Sequence, residues 1–484
     1  MHVPPQARLA RLIRSVLPSV LSRCAHLITD TRGSIAIQFG LLAICIIVMA
    51  GGAIDYARIA AIRSALQEAA DAGVTASISK TSAGYLAAQA MTQDGPVPAG
   101  QTDALNVFGA NASRTVGTLI IFANTLPTLS SNATVTKTGL TVSSSLTYTT
   151  NVPTAFLGLI GMPTWTVTGT SQAQSVLSAY IDFYLMIDVS GSMDFPSTPG
   201  EQARLANINP DNRLLYPSGC LFACHFPLYS GYTLSRNGGN ILNTPVTYCP
   251  SDGRPACIQL RTDAVSGAIV SFLQTANSSA KVANQYRVGL YPFISYLWNY
   301  YPLTTNISAP ATTPGSLAAA ATTLSSLSDN GSDPNLGSGG THFDNALTKM
   351  NQNIVSVGDG SSAASTAPFV FIVTDGSQNN QYQSNGWWYG NNAPTTIDSS
   401  YCTTLKSRGI KISILYIPYL PIPNPTSFGN NEDFTANANI PYIPGALQNC
   451  ASTGFFFTAN SPTDITNALN AMFYQAVNST RLMK

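Results

Sequence analysis

The chain has 484 residues, 45% of them apolar, a net charge of +1 and only 9% charged side chains. That length allows two or three domains, and the apolar content argues against a disordered chain. The near-zero charge excludes a basic footprint for nucleic acid. The low charged fraction, against a usual ~25%, is made up by Ser, Thr, Asn and Gly, a composition that reads as an exported protein.

Residues 1–32 carry Arg8, Arg11, Arg14, Arg23 and Arg32 against one acid, Asp30. From Ile35 to Ile54 the chain then runs without a charge, and Gln38 is its only strongly polar side chain. About twenty such residues cross a ~30 Å hydrocarbon core as a helix. The rival explanations are a buried core helix and a cleaved signal peptide. The apolar region of a signal peptide is shorter and seldom lies behind thirty residues. A retained single span is therefore expected, with the Arg-rich segment cytoplasmic and everything after about Asp55 outside. In bacterial terms that is an inner-membrane anchor with a periplasmic or surface-exposed C-terminal region. Past the span, Ile59, Ile62, Leu66 and Ala69/Ala70 recur at helical spacing, so residues 33–80 read as one helix whose stripe packs on the following segment or on a partner helix.

Residues 81–177 are rich in Thr, Ser and Val. Ala133–Thr138, Leu140–Tyr148 and Thr164–Thr170 alternate with period two, which predicts strands of a small β-rich region. Thr154–Gly161 is an apolar piece that reads as a helical turn between two of them.

A third region, 178–484, follows. Phe183–Ile187 is an apolar strand ending in Asp188-Val189-Ser190-Gly191-Ser192, which sets one carboxylate and two hydroxyls on alternate residues. An insertion of about 194–259 comes next, then helical spacing at Val265, Ile269, Phe272 and Leu273, and a strand at Tyr286–Phe293. Gly339-Gly340-Thr341 leads into a helix, Phe369–Val373 is a second core strand followed by Thr374-Asp375-Gly376, and Lys411–Ile417 is a third. Ser461-Pro462-Thr463-Asp464 carries the signals of a helix start. Alternating strands and helices specify an α/β fold with a doubly wound, mostly parallel sheet, Rossmann-like in plan. Ligands of such sheets sit beyond the carboxyl ends of the strands, where Asp188 and Asp375 both lie.

Two resemblances bear on these residues. Arg32–Phe39, the span, Asp55-Tyr56-Ala57-Arg58 and Leu66–Ala72 resemble the N-terminal segment of TadE/TadG-like proteins of tight-adherence (Flp) pilus assembly, over about residues 31–80. The strands and turn that follow, ending in Ser171-Gln172-Ala173, are similar to that family's middle region. Gln38 stands where the family often has Glu, so prepilin-type cleavage after Gly33 is not expected. The C-terminal region resembles the von Willebrand factor A (vWA) domain. Asp188, Ser190 and Ser192, then Thr341, then Asp375, match the three parts of its metal-ion-dependent adhesion site (MIDAS). The resemblance implies a Mg²⁺ (or Mn²⁺ or Ca²⁺) site whose open position accepts an Asp or Glu from a protein partner. The donor chemistry agrees, since hard oxygen ligands with few carboxylates suit such cations. The expected function is a membrane-anchored, non-enzymatic binding protein that engages other pilus-assembly components. The alternatives are a structural envelope or pilus subunit with an unused metal site, and a hydrolase using Asp188 with Ser190 or Ser192. The last has only His342 near the loops and no Gly-x-Ser-x-Gly elbow.

Eight cysteines complete the inventory. Cys24 falls before the span and Cys45 within it. Cys402 and Cys450 are expected partners in a disulfide. Cys220, Cys224, Cys249 and Cys257 staple the insertion in one of three connectivities, or with His225 form a zinc site; an oxidising compartment favours disulfides. Trp387-Trp388-Tyr389, together with Trp298, Tyr300 and Tyr301, are either partner anchors or loop packing.

Overall fold

The computed structural model describes residues 32–119, 128–208, 248–254, 257–327, 333–337, 339–384, 387–389, 394–422, 425 and 428–480. Two compact units divide the chain. One comprises Met1–Tyr85, Pro96–Thr136 and Ser143–Ser175, the other Leu86–Gly95, Lys137–Val142 and Val176–Lys484.

The first unit is built on α1, Arg32–Ser77, a single helix of 46 residues. Its stretch from Gln38 is long and apolar enough to cross a membrane. Phe39, Leu41, Leu42, Ile44, Ile46, Ile47 and Met49 all stand exposed. The second half of α1 behaves differently. Ile59, Ile62, Leu66, Ala69, Ala70 and Val74 are buried in one cluster with Ala104, Phe108 and Ala112, and with Ala133, Leu146, Tyr148, Val152 and Val167. The helical stripe read from sequence thus packs on its own chain.

The region read as β-rich opens with two helices that the sequence reading did not name: α2 (Ala83–Ala90) and α3 (Pro98–Leu119). Pro98 begins α3 at a position that needs no N–H donor. The buried stripe of α3 is Ala104, Phe108 and Ala112, mostly too small to register as an apolar period. The strands do follow. The sheet order is β1 (Gly95–Pro96), β2 (Leu129–Thr138), β3 (Thr141–Pro153), β4 (Thr164–Val176). Ala133 and Val135 on β2, and Leu146, Tyr148 and Val152 on β3, are buried while their neighbours face water, the alternation of a sheet covered on one side.

The second unit carries a six-stranded sheet of β5 (Ile181–Asp188), β6 (Tyr286–Phe293), β7 (Tyr301–Thr304), β8 (Ala367–Thr374), β13 (Lys411–Tyr416) and β14 (Phe456–Thr458). Four short strands, β9 (Ser377–Gln378), β10 (Tyr382–Ser384), β11 (Trp387–Tyr389) and β12 (Thr395–Thr396), pair among themselves outside it. The order is β14-β13-β8-β5-β6-β7. All neighbours are parallel except the edge strand β7. The chain leaves β5 toward β6 and later returns to its other side as β8. The direction of winding therefore reverses at β5/β8, which opens a crevice at the carboxyl ends of those two strands.

Both faces are covered, so the central strands are apolar over most of their length. Phe183, Leu185 and Ile187 of β5 and Phe369, Phe371 and Val373 of β8 face one core with Phe272 and Phe473. The helices on that side are α5 (Arg261–Ser279), α6 (Leu317–Thr322) and α11 (Pro462–Ser479). Tyr184, Met186, Val370 and Ile372 face the other core, with Phe343, Leu347, Leu405 and Leu447. Those side chains come from α7 (Phe343–Asn353), α8 (Ser399–Ser407) and α10 (Ile443–Cys450), with α9 (Phe428–Asn439) nearby in sequence. α11 starts as expected, with Ser461 Oγ accepting from Asp464 N at 3.1 Å.

The insertion leaves and returns at one place. Ser197 N donates to Gln259 O at 2.9 Å and Arg261 N to Phe195 O at 2.9 Å. Its helix α4 (Pro199–Ile208) holds the returning segment through Glu201, which accepts from Gly253 N and Gln259 N. Cys249 and Cys257 are joined, so neither is a free thiolate for zinc. Cys402 on α8 is joined to Cys450 at the end of α10. Cys24, Cys220, Cys224 and His225 lie outside the described residues.

Candidate metal centre

Asp188 is the last residue of β5 and is fully buried. Its Oδ1 accepts from Ser190 N at 3.0 Å, which closes a tight turn after the strand. Its Oδ2 accepts from Thr374 Oγ1 at 2.6 Å. Thr374 ends β8, directly across the ladder, and its hydroxyl also accepts from Gly376 N at 2.9 Å. One hydroxyl therefore ties the ends of the two strands that flank the crevice.

Ser190 follows as the cap of a short 3₁₀ turn, Gly191–Asp194, and Ser192 lies on that turn. Their hydroxyl oxygens are 3.3 Å apart. Thr341 arrives from another loop, and its Oγ1 donates to Ser190 Oγ at 2.8 Å. That loop is pressed onto the segment after β8: Gly340 N donates to Gln381 O at 2.7 Å and Asn379 N to Thr341 O at 3.0 Å. A Cβ on Gly339 would lie 2.2 Å from Gln381 O, and one on Gly340 2.2 Å from Asn379 O. Any side chain at either position would push Thr341 away from Ser190.

Asp375 follows β8 and is also fully buried. Neither of its carboxylate oxygens has a partner in full hydrogen-bond geometry; the Ser192 hydroxyl and the Ser377 N–H face it from longer range. The nearest opposite charge is Arg261, whose Nη1 is 3.7 Å from Asp375 Oδ2. Arg261 opens α5, donates through Nη2 to Pro418 O at 2.9 Å and lies over the Phe195 ring.

Electrostatically this is a strained pair. Burial, and then the neighbouring Asp375 carboxylate, push Asp188 up to about 7, against the pull of its Ser190 and Thr374 hydrogen bonds. Burial likewise raises Asp375, while the Arg261 guanidinium and the Ser192 hydroxyl draw it back down. A buried carboxylate without a full set of hydrogen bonds is costly and favours a nearby cation.

The donor set fits a hard divalent cation. Asp188, Ser190, Ser192, Thr341 and Asp375 supply two carboxylates and three hydroxyls, without sulfur or imidazole. Among the described residues no group of three or more His, Cys, Asp or Glu forms a richer site. A two-carboxylate set is the kind Mg²⁺ uses while retaining waters.

The structure brings these five residues together, along with two that the sequence did not single out. Thr374 was visible only as the neighbour of Asp375, and Arg261 carried no signal because it follows the insertion. His342 is buried, and its Nε2 lies 3.0 Å from Gln381 O; a carbonyl partner makes that nitrogen the N–H donor. The backbone of Trp387–Tyr389 pairs with β10, and Gln383 stands opposite Trp388; the side chains lie outside the described residues. Trp298 and Tyr300 stack edge to face at 4.8 Å and pack on their own core, and Tyr300 Oη bonds Thr323 Oγ1. That aromatic pair is loop packing.

No family model matches the chain, and no curated protein does. Solved structures do match. The PilB minor pilin of Streptococcus sanguinis is 11% identical, with a TM-score of 0.33, over 75% of this chain and 81% of its own. The vWF domain of the type V pili tip protein Mfa5 of Porphyromonas gingivalis is 11% identical, with a TM-score of 0.33, over 63% of this chain and 97% of its own. Proximal thread matrix protein 1 of the mussel byssus, described with a zinc occupied MIDAS motif, is 12% identical, with a TM-score of 0.30, over 62% of this chain and 48% of its own.

Proposed function

We propose that the chain is a membrane-anchored binding protein of pilus assembly or adhesion that engages a protein partner through a divalent cation. Asp188, Ser190, Ser192, Thr341 and Asp375 would hold the ion, with Mg²⁺ first and Mn²⁺ or Ca²⁺ next. When bound, it supplies a Lewis-acidic position that attracts an Asp or Glu side chain of the partner. The carrying observation is that three separate segments bring two carboxylates and three hydroxyls to the crevice where the sheet reverses, and that the buried oxygens of Asp375 have no partner in full hydrogen-bond geometry.

The chain's own residues prepare this site. Thr374 and Ser190 N orient Asp188, the Gly339-Gly340 contact seats Thr341, and the Ser190–Ser192 turn points both hydroxyls the same way. His342 is engaged as a donor to a backbone carbonyl, which favours binding over hydrolysis as the role of this loop. The pilus context is supported by the TadE/TadG-like blocks of about residues 31–80. The anchor is supported by the exposed apolar half of α1, and the Arg-rich segment before the span supports a second unit outside an inner membrane.

One observation favours the structural alternative. Arg261 already offers Asp375 a positive charge at 3.7 Å, so the pocket has an internal counter-ion. Pull-down of partners from membranes with the full chain, in Mg²⁺ and in EDTA, separates the two. Partners recovered only with Mg²⁺, and lost in Asp188→Ala, support the binding role. The same partners in EDTA overturn it.

A further inference from the structure

The geometry points to a second membrane contact in the first unit: the turn Phe156–Trp165 inserts into the lipid interface beside the end of the α1 span. The inference rests on α1 being a membrane span.

The turn is fastened to the span's last residues. A Cβ on Gly51 would lie 2.3 Å from the Phe156 ring, and one on Gly52 3.3 Å from Leu157 Cδ2. Gly51 is three residues before Ile54, about 4–5 Å of helical rise inside the end of the apolar run. Asp55, the first charge after that run, is buried. Its carboxylate accepts from the N–H groups of Ala155, Phe156 and Leu157 at 3.0, 2.7 and 2.8 Å. Arg58 adds a positive charge 3.7 Å away. The acid is thus spent on holding the turn against the helix rather than left to face lipid unpaired.

The turn also has the two properties an apolar medium demands. Its backbone is largely self-satisfied. Besides the three bonds to Asp55, Thr154 N donates to Pro163 O, Leu159 N to Phe156 O, Gly161 N to Gly158 O and Met162 N to Leu157 O. Thr154 Oγ1 donates to Met162 O. Unsatisfied N–H groups would bar entry, and these are paired. Its outer surface is apolar: Leu159 is 73% exposed, and Ile160, Met162 and Trp165 stand out beside it. Ile54 and Tyr56 of α1 are exposed at the same level. Trp and Tyr with aliphatic neighbours, at the end of a span, are the composition of an interfacial belt. Lipid is the occupant because this patch continues the bare apolar surface of α1 from Phe39 to Met49.

The test uses the full chain in vesicles of phosphatidylcholine and phosphatidylglycerol. Trp298→Phe, Trp387→Phe and Trp388→Phe leave Trp165 as the single tryptophan. In a second protein Trp165→Phe is added and Ile44→Trp reports the span. We expect Trp165 emission to be blue-shifted and quenched by phospholipids brominated near the headgroup end of the acyl chain. Ile44→Trp should be quenched by lipids brominated deeper. Leu159→Asp with Ile160→Asp, at exposed positions outside any core, should remove the Trp165 quenching and leave circular dichroism unchanged. Quenching of Ile44→Trp without quenching of Trp165 overturns the inserted turn and leaves the span standing. Quenching of neither overturns the span and the turn with it. Trp165 shielded from water yet untouched by brominated lipid assigns the patch to a protein neighbour and overturns the lipid contact.

Discussion

Thr341 Oγ1 donates to Ser190 Oγ at 2.8 Å across 151 positions of sequence, and this bond joins the Gly339–Thr341 loop to the turn after β5. Replacing Thr341 with Val keeps the shape and removes the hydroxyl. Mg²⁺ affinity should fall about 10–100-fold, the range seen when a group supporting a metal site is lost. Fold stability should fall by only about 1 kcal/mol, one hydrogen bond. Calorimetric titration and a denaturant curve measure the two separately, and an unchanged Mg²⁺ isotherm would remove Thr341 from the site.

Asp188→Ala and Asp375→Ala should each abolish cation binding and leave the second unit folded. The reason is the buried pair itself, since each carboxylate raises the cost of charging the other. Removing one relieves the survivor. Thermal melts should show that wild type gains about 2.7 kcal/mol from Mg²⁺ at 100 times its Kd, while the variants gain nothing.

The same pair sets a pH dependence with a definite sign. Asp188 is raised from its ordinary 3.8 to about 7 in the folded, metal-free chain. Its contribution to metal-free stability is therefore full below about pH 4 and is lost as pH rises through about 7. Cation binding needs the carboxylate ionised, so Mg²⁺ affinity should rise through the same window and flatten above it. Melts across the window with EDTA and with Mg²⁺ should diverge as pH rises. Parallel curves would show that Asp188 does not meet the ion.

Arg261 is the internal competitor. Arg261→Met keeps an unbranched side chain over Phe195 and removes the charge 3.7 Å from Asp375. Divalent affinity should rise, by up to about a thousandfold, since one unit charge about 4 Å away is worth about 4 kcal/mol at an effective dielectric near 20. A drop in affinity would mean that Arg261 supports the bound state instead of standing in for it.

The Cys402–Cys450 bond closes a loop with a sequence separation of 48. By loop entropy its removal in Cys402→Ser/Cys450→Ser should cost about 4 kcal/mol. The bond joins α8 to α10, away from the ligands, so Mg²⁺ stoichiometry should be unchanged. Chemical denaturation with and without Mg²⁺ checks both statements.

Much of this was legible in the sequence because it lies at strand ends. β5 and β8 are buried on both faces, so they read as unbroken apolar runs, and Asp188 and Asp375 mark where each run stops. Thr341 was legible through its two preceding glycines, which the close backbone approach of residues 379–381 now explains. Helix α3 was not, because a stripe of Ala104, Phe108 and Ala112 is weak against a background of Thr, Ser and Val. Arg261 and Thr374 were not, because their roles depend on which segments meet at the crevice. The turn at Thr154–Gly161 was legible as a turn, but its fastening to Asp55 spans about a hundred residues and leaves no local pattern.

Asp188, Ser190, Ser192, Thr341 and Asp375 are proposed to form one cation site. Its most direct test is calorimetric titration of MgCl₂ into the full chain in detergent or nanodiscs at about pH 8, where the carboxylates are ionised. One ion per chain is expected, lost in Asp188→Ala and in Asp375→Ala. No binding of Mg²⁺, Mn²⁺ or Ca²⁺, or an isotherm that both alanine variants reproduce, would contradict it.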